Sequence, residues 1–215
     1  MQKLKAVAAV AVAAIVVSAS ANAQEMRNFD NSWFWGFKSG INTFTAPNRG
    51  TRSTVDLGAD WFITRTTGGL YVSANQSIFQ QDLDAYDPTA KTNQRTIRVN
   101  DLRRISFAAL AFPKHFGGIT PYAGLGYMIA VLGNARVFVD SADTFPNNAF
   151  LDAVDRRRSR GSLLGMAGVQ IQTRRAAIFA QETMLPSNAD FMFTSMLSFF
   201  EFGVRYNFGS SIDRR

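Results

Sequence analysis

The sequence has no cysteine and one histidine, His115. Without cysteine there is no disulfide framework and no thiol to carry a lipid anchor. One imidazole and no thiolate leave zinc without a ligand set. A serine nucleophile needs a base within hydrogen-bond reach and a third group to orient that base. His115 falls instead in an expected tight turn, with no such arrangement around it. No glycine-rich loop precedes a helix, so nucleotide chemistry lacks its phosphate cradle. The sequence thus nominates no catalytic, cofactor-binding or metal-binding residue, and the protein is read as a non-enzyme. Long apolar runs are missing as well. After Ala23 nothing approaches the roughly 20 residues that a spanning helix requires. A membrane location would therefore demand a closed barrel, whose strands satisfy one another's backbone hydrogen bonds. Heptads, low-complexity tracts and interdomain linkers do not occur.

What is present begins with an export signal. Lys3 and Lys5 precede a small-apolar run from Ala6 to Val17, and Ala21-Asn22-Ala23 forms an A-x-A-type cleavage site. The run is too short to anchor the chain as a spanning helix. Residues 1–23 are expected to be a cleaved signal peptide, and residues 24–215 a single β-barrel domain. Loss of the two lysines takes the 23 basic residues to 21 against 16 acidic ones. Export argues against nucleic acid as the partner of that surplus. The phosphate-rich surface of an outer membrane suits it better.

The remaining chain divides into eight segments of alternating pattern, at 32–45, 53–65, 69–81, 96–112, 119–138, 160–173, 176–186 and 194–208. In the first, Trp33, Trp35, Phe37 and Ile41 oppose Gly36, Lys38, Gly40 and Asn42. In the second, Val55, Leu57, Ala59, Trp61 and Ile63 oppose Asp56, Gly58, Asp60 and Thr64. The eighth sets Phe200, Phe202, Val204, Tyr206 and Phe208 against Glu201, Gly203, Arg205 and Asn207. Segments 4 and 7 alternate less cleanly. Connections also alternate, with tight turns near Thr67, His115 and Arg174 and longer polar loops at 46–52, 82–95, 139–159 and 187–193. That sidedness fits an outer-membrane barrel with short turns toward the periplasm and long loops outside the cell. Trp33, Trp35, Trp61, Phe112, Tyr122, Tyr206 and Phe208 are expected to form a girdle at the short-turn end, and Phe44, Phe79 and Phe138 the opposite one. The polar face holds mainly Gly, Ser, Asn and Thr. A soluble lipocalin-like barrel would carry Lys and Glu on its outer face. A face this poor in charge suits a crowded lumen, so the apolar face should look outward.

Two motifs carry a family resemblance. Glu201-Phe202-Gly203-Val204-Arg205-Tyr206-Asn207-Phe208 resembles the C-terminal signal of outer-membrane barrels, and Thr120-Pro121-Tyr122-Ala123-Gly124-Leu125-Gly126-Tyr127 resembles the mid-barrel pattern of small OmpA/OmpX-like barrels. The resemblance implies an all-β, eight-stranded, antiparallel, up-and-down transmembrane β-barrel in a bacterial outer membrane. It also implies that the barrel-assembly machinery reads Glu201, Gly203, Tyr206 and Phe208. Gly209 to Arg215 depart from the family by continuing past the terminal aromatic.

Two charge clusters remain. Asp140, Asp143, Asp152 and Asp155 precede Arg156, Arg157, Arg158 and Arg160. Their spacing does not make a calcium loop. The arginines could hold lipopolysaccharide phosphates, or the loop could pair with its own aspartates. Strand levels suggest a lumenal charge network in which Lys38 and Arg205 are shared among Asp60, Glu182 and Glu201. Two functions stay open. One is a monomeric structural or surface-interaction barrel that contacts outer-membrane lipid and lipopolysaccharide. The other is a narrow channel or transporter, for which Phe62, Met128 and Phe199 would leave little room. The export reading predicts that protein recovered from outer membranes begins at Gln24. Intact-mass analysis should find residues 1–23 absent; an attached Met1 would overturn it.

Overall fold

Period-two alternation builds eight strands: β1 Trp33–Ala46, β2 Gly50–Thr64, β3 Gly68–Tyr86, β4 Gln94–Ala111, β5 Ile119–Val137, β6 Ser159–Thr173, β7 Ala176–Leu185 and β8 Leu197–Tyr206. One helix, α1 Asn148–Arg156, lies between β5 and β6. The computed structural model describes residues 31–46, 50–113, 116–138, 145–173, 175–186 and 196–208. The signal segment, His115, Asp140, Asp143 and the tail from Gly209 lie outside the described residues.

Each strand pairs antiparallel with its sequence neighbour, and β8 pairs with β1 to close the barrel. The stagger follows from the register. Starting at Trp33, the partners run through Ile63, Leu70, Ala109, Leu125, Gly165, Met184 and Ser198, and return to β1 at Thr43. The circuit thus returns ten residues above its starting point. With about 3.3 Å per residue and about 4.8 Å between strands, that offset tilts the strands by about 40° and sets a backbone radius of about 8 Å. Each residue then climbs about 2.5 Å along the barrel axis, and each step to the next strand about 3 Å.

The aromatic face looks outward. Phe37 is 82% exposed and Trp35 53%, whereas Phe34, Phe62, Lys38 and Asp60 are buried inside. Trp33 and Trp35 pack on Trp61 at centroid distances of 5.6 and 5.8 Å, and Tyr206 meets Phe208 at 4.9 Å. These residues form the girdle at the short-turn end. Phe112 and Tyr122 do not join it. Both are buried in the lumen, at 6.0 and 6.2 Å from the Phe62 ring, where rings close the narrow floor of the barrel. Phe44 and Phe79 also leave the expected upper girdle, because their parity turns them toward the interior, 5.1 Å from each other. Phe138 is exposed, with the Arg98 guanidinium 4.5 Å from its ring.

The loops differ from expectation for one reason: the strands outrun the apolar band. β3 continues to Tyr86 and β4 begins at Gln94, so much of the expected 82–95 loop is a hairpin. Above the band its outward residues Asp82, Asp84, Thr96 and Arg98 are polar and its inward residues Leu83, Ile97 and Val99 are apolar, which inverts the alternation. The β1–β2 connection shrinks to 47–49 for the same reason. Asp87 anchors the hairpin tip. Its burial acts to raise the carboxyl pKa, but hydrogen bonds from Thr89 and the nearby Arg95, 2.6 Å away, hold it below the usual carboxylate range. The expected 139–159 loop contains α1, whose first turn is capped by the Asn147 side chain accepting from Phe150 N at 2.8 Å. Phe150 and Val154 turn inward and join the apolar cluster that includes Leu83, Ile97, Val99 and Leu132. Near mid-strand β4 carries Asp101 at φ 52° beside a register shift opposite Ser77 and Gln80. Leu102 and Arg104 point inward below this point, and Ile97 and Val99 above it, so the bulge reverses parity.

The register predicts that Thr43→Cys with Ser198→Cys forms a disulfide closing β1 on β8, in a chain with no other thiol. Non-reducing mass analysis of the folded protein should show the bond. A free pair of thiols would mean another closure.

Candidate functional site

The middle of the lumen gathers six charged side chains away from water. β1 contributes Lys38, β2 Asp56 and Asp60, β4 Arg104, and β8 Glu201 and Arg205, all buried. Three cations face three carboxylates, so the cluster is neutral as a whole. Burying a charge is costly unless it is paired and hydrogen-bonded, and here every charge has partners.

The upper part of the network centres on Glu201. Lys38 Nζ approaches Glu201 Oε2 at 2.9 Å and donates to Tyr71 Oη at 2.6 Å. Asn75 Nδ2 donates to Glu201 Oε1 at 2.9 Å and to Asp56 Oδ2 at 2.8 Å. Arg104 Nη2 bridges the two acids, lying 2.6 Å from Asp56 Oδ2 and also bonding Glu201 Oε1. Ser77 Oγ donates to Asp56 Oδ1 at 2.7 Å. The lower part centres on Arg205, which bonds Asp60 through Nη2 at 2.9 Å and through Nε at 3.1 Å, and Gln170 Oε1 through Nη1 at 2.7 Å. Gln181 ties the two parts together. Its Nε2 donates to Tyr71 Oη and Glu201 Oε2, while its Oε1 accepts from Tyr122 Oη and Arg205 Nη2.

Ring faces fill the gaps. The Arg205 guanidinium carbon lies 3.6 Å from the Phe179 ring centre and 4.7 Å from that of Phe62, and Arg104 lies 3.5 Å from Phe199. Gly36 clears the necessary volume, since a Cβ there would strike the Asp60 carboxylate and stand 2.8 Å from Arg205 Cγ. Below the charges Phe34, Phe62, Phe112 and Tyr122 occupy the barrel; above them lie Leu102, Leu132, Leu83, Phe150 and Val154. The interior is thus an aromatic floor, a neutral charged layer and an apolar roof.

The structure brings Lys38, Asp60, Glu201 and Arg205 together and leaves Glu182 out. Its neighbours Gln181 and Thr183 turn inward, so Glu182 faces outward between Ala167 and Phe200. There its Oε1 accepts from Ser198 Oγ at 2.9 Å. Asp56 and Arg104 are the members that sequence reasoning missed. Asp56 had the right parity and went unused. Arg104 was hidden because the Asp101 bulge breaks the alternation of β4. Of the expected assembly signal, Glu201 is committed to the lumen and Gly203 packs against the β1 backbone, while Tyr206 and Phe208 are exposed on the outer wall. Arg156 and Arg157 are exposed at the end of α1, and Arg160 is half-buried. Arg158 bonds Asp155 at 3.0 Å and the Gly133 carbonyl at 2.7 Å. Among the described residues no three His, Cys, Asp or Glu side chains gather into a possible metal site.

A closed, up-and-down, eight-stranded barrel with an apolar outer wall and a polar filled lumen has the architecture of the small OmpA/OmpX-like outer-membrane β-barrels. A solved structure shares it. Neisserial surface protein A aligns at a TM-score of 0.52 and 12% identity, over 83% of this chain and 98% of its own. Ail, the attachment invasion locus protein of Yersinia pestis, aligns at 0.48 and 12%, over 84% of this chain and 100% of its own. No family model matches the sequence, and no curated protein matches it.

Removing one partner of a buried pair leaves the other uncompensated, typically at a cost of about 3–5 kcal/mol. Arg205→Ala should therefore destabilise the barrel by about that amount. Adding Asp60→Asn should recover part of the loss, whereas adding Glu182→Gln should not, because Glu182 lies on the other side of the wall. Denaturant unfolding in detergent, run as two double-mutant cycles, gives both couplings. Coupling to Glu182 but not to Asp60 would refute the assignment.

Proposed function

We propose that this protein is an integral outer-membrane barrel with a structural or surface-interaction role, and that its lumen neither conducts nor catalyses. The observation that carries this reading is the filling of the interior by described side chains, from the Phe62 floor through the charged layer to the α1 roof. An eight-stranded barrel is just wide enough for side chains to fill it. Here the largest of them, Arg205, is bonded to Asp60, Gln170 and Gln181 and is wholly buried. The outer wall supports the membrane location. Trp35, Phe37, Leu125, Leu163, Phe200 and Phe202 would be costly in water at 52% or more of their area, and cost nothing against acyl chains.

In this reading the residues that meet partners are those above the apolar band: the β3–β4 hairpin, whose strands extend to Tyr86 and Gln94, and the α1 segment with exposed Phe145 and Leu151. The long-loop end faces outside the cell, and the short turns face the periplasm. Lipopolysaccharide and outer-membrane lipid are the immediate surroundings.

Planar-bilayer recording of the purified protein should show no steps above the bare bilayer. Discrete, repeatable single-channel openings would overturn the reading in favour of a narrow channel. Protease added to whole cells should nick the 87–93 tip and the 139–158 segment and spare 65–67. The opposite pattern would invert the topology.

A further inference from the structure

Two charged side chains interrupt the outward apolar band among the described residues, Glu182 and Arg103. The register fixes their depth. Met184 is six strand steps along the circuit from Trp33, so Glu182 stands about 14 Å above Trp33, in mid-band, where it relies on Ser198. Arg103 lies six residues above Ala109, itself three steps along, and so stands about 24 Å above Trp33, at the upper rim. Arg103 is exposed and has no ion pair or hydrogen bond among the described residues. Its cross-strand neighbours are Gln76 and Val131. The carboxylate next along β4, Asp101, accepts from the Gln76 amide at 3.2 Å.

Beside Arg103 the wall dips. A groove of about 550 Å³ crosses β2 to β5, lined by Leu57, Ala74, Gln76, Ile105, Ile129 and Val131, with Arg103 on its edge. Ala74 lies low in the dip beside the larger Leu57, Ile105 and Ile129, and its cross-strand partner Ala59 is equally small. On the far side of β5, Arg158 is taken up by Asp155 and the Gly133 carbonyl, so Arg103 is the guanidinium that lines this groove with a free face. An unpaired guanidinium at the edge of an apolar trough matches a ligand with an acyl chain below and a phosphate above. The guanidinium offers paired N–H donors to phosphate oxygens.

We propose that this groove on the outer wall binds a phosphate-bearing acyl glycolipid of the outer leaflet, with the chain along Ala74, Ile105 and Ile129 and the phosphate on Arg103. The proposal rests on the outer-membrane reading above, and it adds a contact on the barrel wall to the one expected of the loop arginines. Near the interface an arginine facing lipid costs little, so the position is tolerable empty and favourable when a phosphate meets it.

The test uses the full-length barrel in detergent and native mass spectrometry, with bisphosphorylated lipid A, dephosphorylated lipid A and inorganic phosphate as probes. Wild type should retain bisphosphorylated lipid A and lose most of that retention with the dephosphorylated form. Arg103→Ala should weaken retention about tenfold, and Arg103→Lys should fall between the two. Ala74→Trp, which fills the trough and leaves the charge, should weaken it as well. Unchanged gel mobility before heating shows that each variant is folded. Equal retention by Arg103→Ala and wild type would overturn the proposal, as would equal retention of the dephosphorylated lipid. So would full competition by inorganic phosphate alone, or a change of oligomeric state in Arg103→Ala that shows a second copy on this face. Cell fractionation reports separately on the outer-membrane reading: a soluble protein that still bound lipid A through Arg103 would sink that reading and keep the groove.

Discussion

A barrel of eight strands with a ten-residue stagger has a fixed radius, and that radius governs the rest of the molecule. The closure between β1 and β8 satisfies the backbone and leaves no edge. It also removes any freedom to expand or collapse around a poor interior. Side chains must fill a tube about 8 Å in backbone radius and leave no net charge in it. Three cations against three carboxylates meet the second demand. Glycines such as Gly36 meet the first by giving up volume where Arg205 and Asp60 must pass.

Within that tube Glu201 carries two constraints. Its carboxylate gathers Lys38, Arg104, Asn75 and Gln181 from four other strands. The residue also opens the motif that resembles an assembly signal. The two demands do not compete, because alternation separates them in space. Glu201 and Arg205 turn inward to the network, while Tyr206 and Phe208 turn outward to the girdle. Gln181 then couples the Glu201 and Arg205 halves, so the charged layer acts as one cross-brace between β1, β2, β4, β7 and β8.

The outer wall answers to a different solvent, and its departures from apolarity can be read against depth. Glu182 in mid-band is held by Ser198, and Arg103 at the rim is unpaired among the described residues. The first is a polar group made tolerable by a neighbour on the same wall. The second sits where a partner from outside the chain can reach it.

The sequence by itself determined the number of strands, the inward and outward faces of β1, β2 and β8, and the lumenal position of Lys38, Asp60, Glu201 and Arg205. Period two is a local property, and a face rich in Gly, Ser and Asn but poor in charge suits a crowded lumen better than a water-exposed wall. Only the tertiary structure decided which charges meet. Partners across a barrel are set by the shear, which accumulates over all eight registers and is visible in none of them. Counting levels without parity placed Glu182 in the lumen; the pairing of β7 with Ala167 and Phe200 turns it outward. Arg103 and Arg104 are adjacent, so one had to face in and one out, but the positive φ of Asp101 reverses the alternation of β4 and concealed which. Tyr122 and Phe112 looked like girdle residues by level and are lumen floor, because a narrow closed tube needs rings to fill it where the wall supplies glycine.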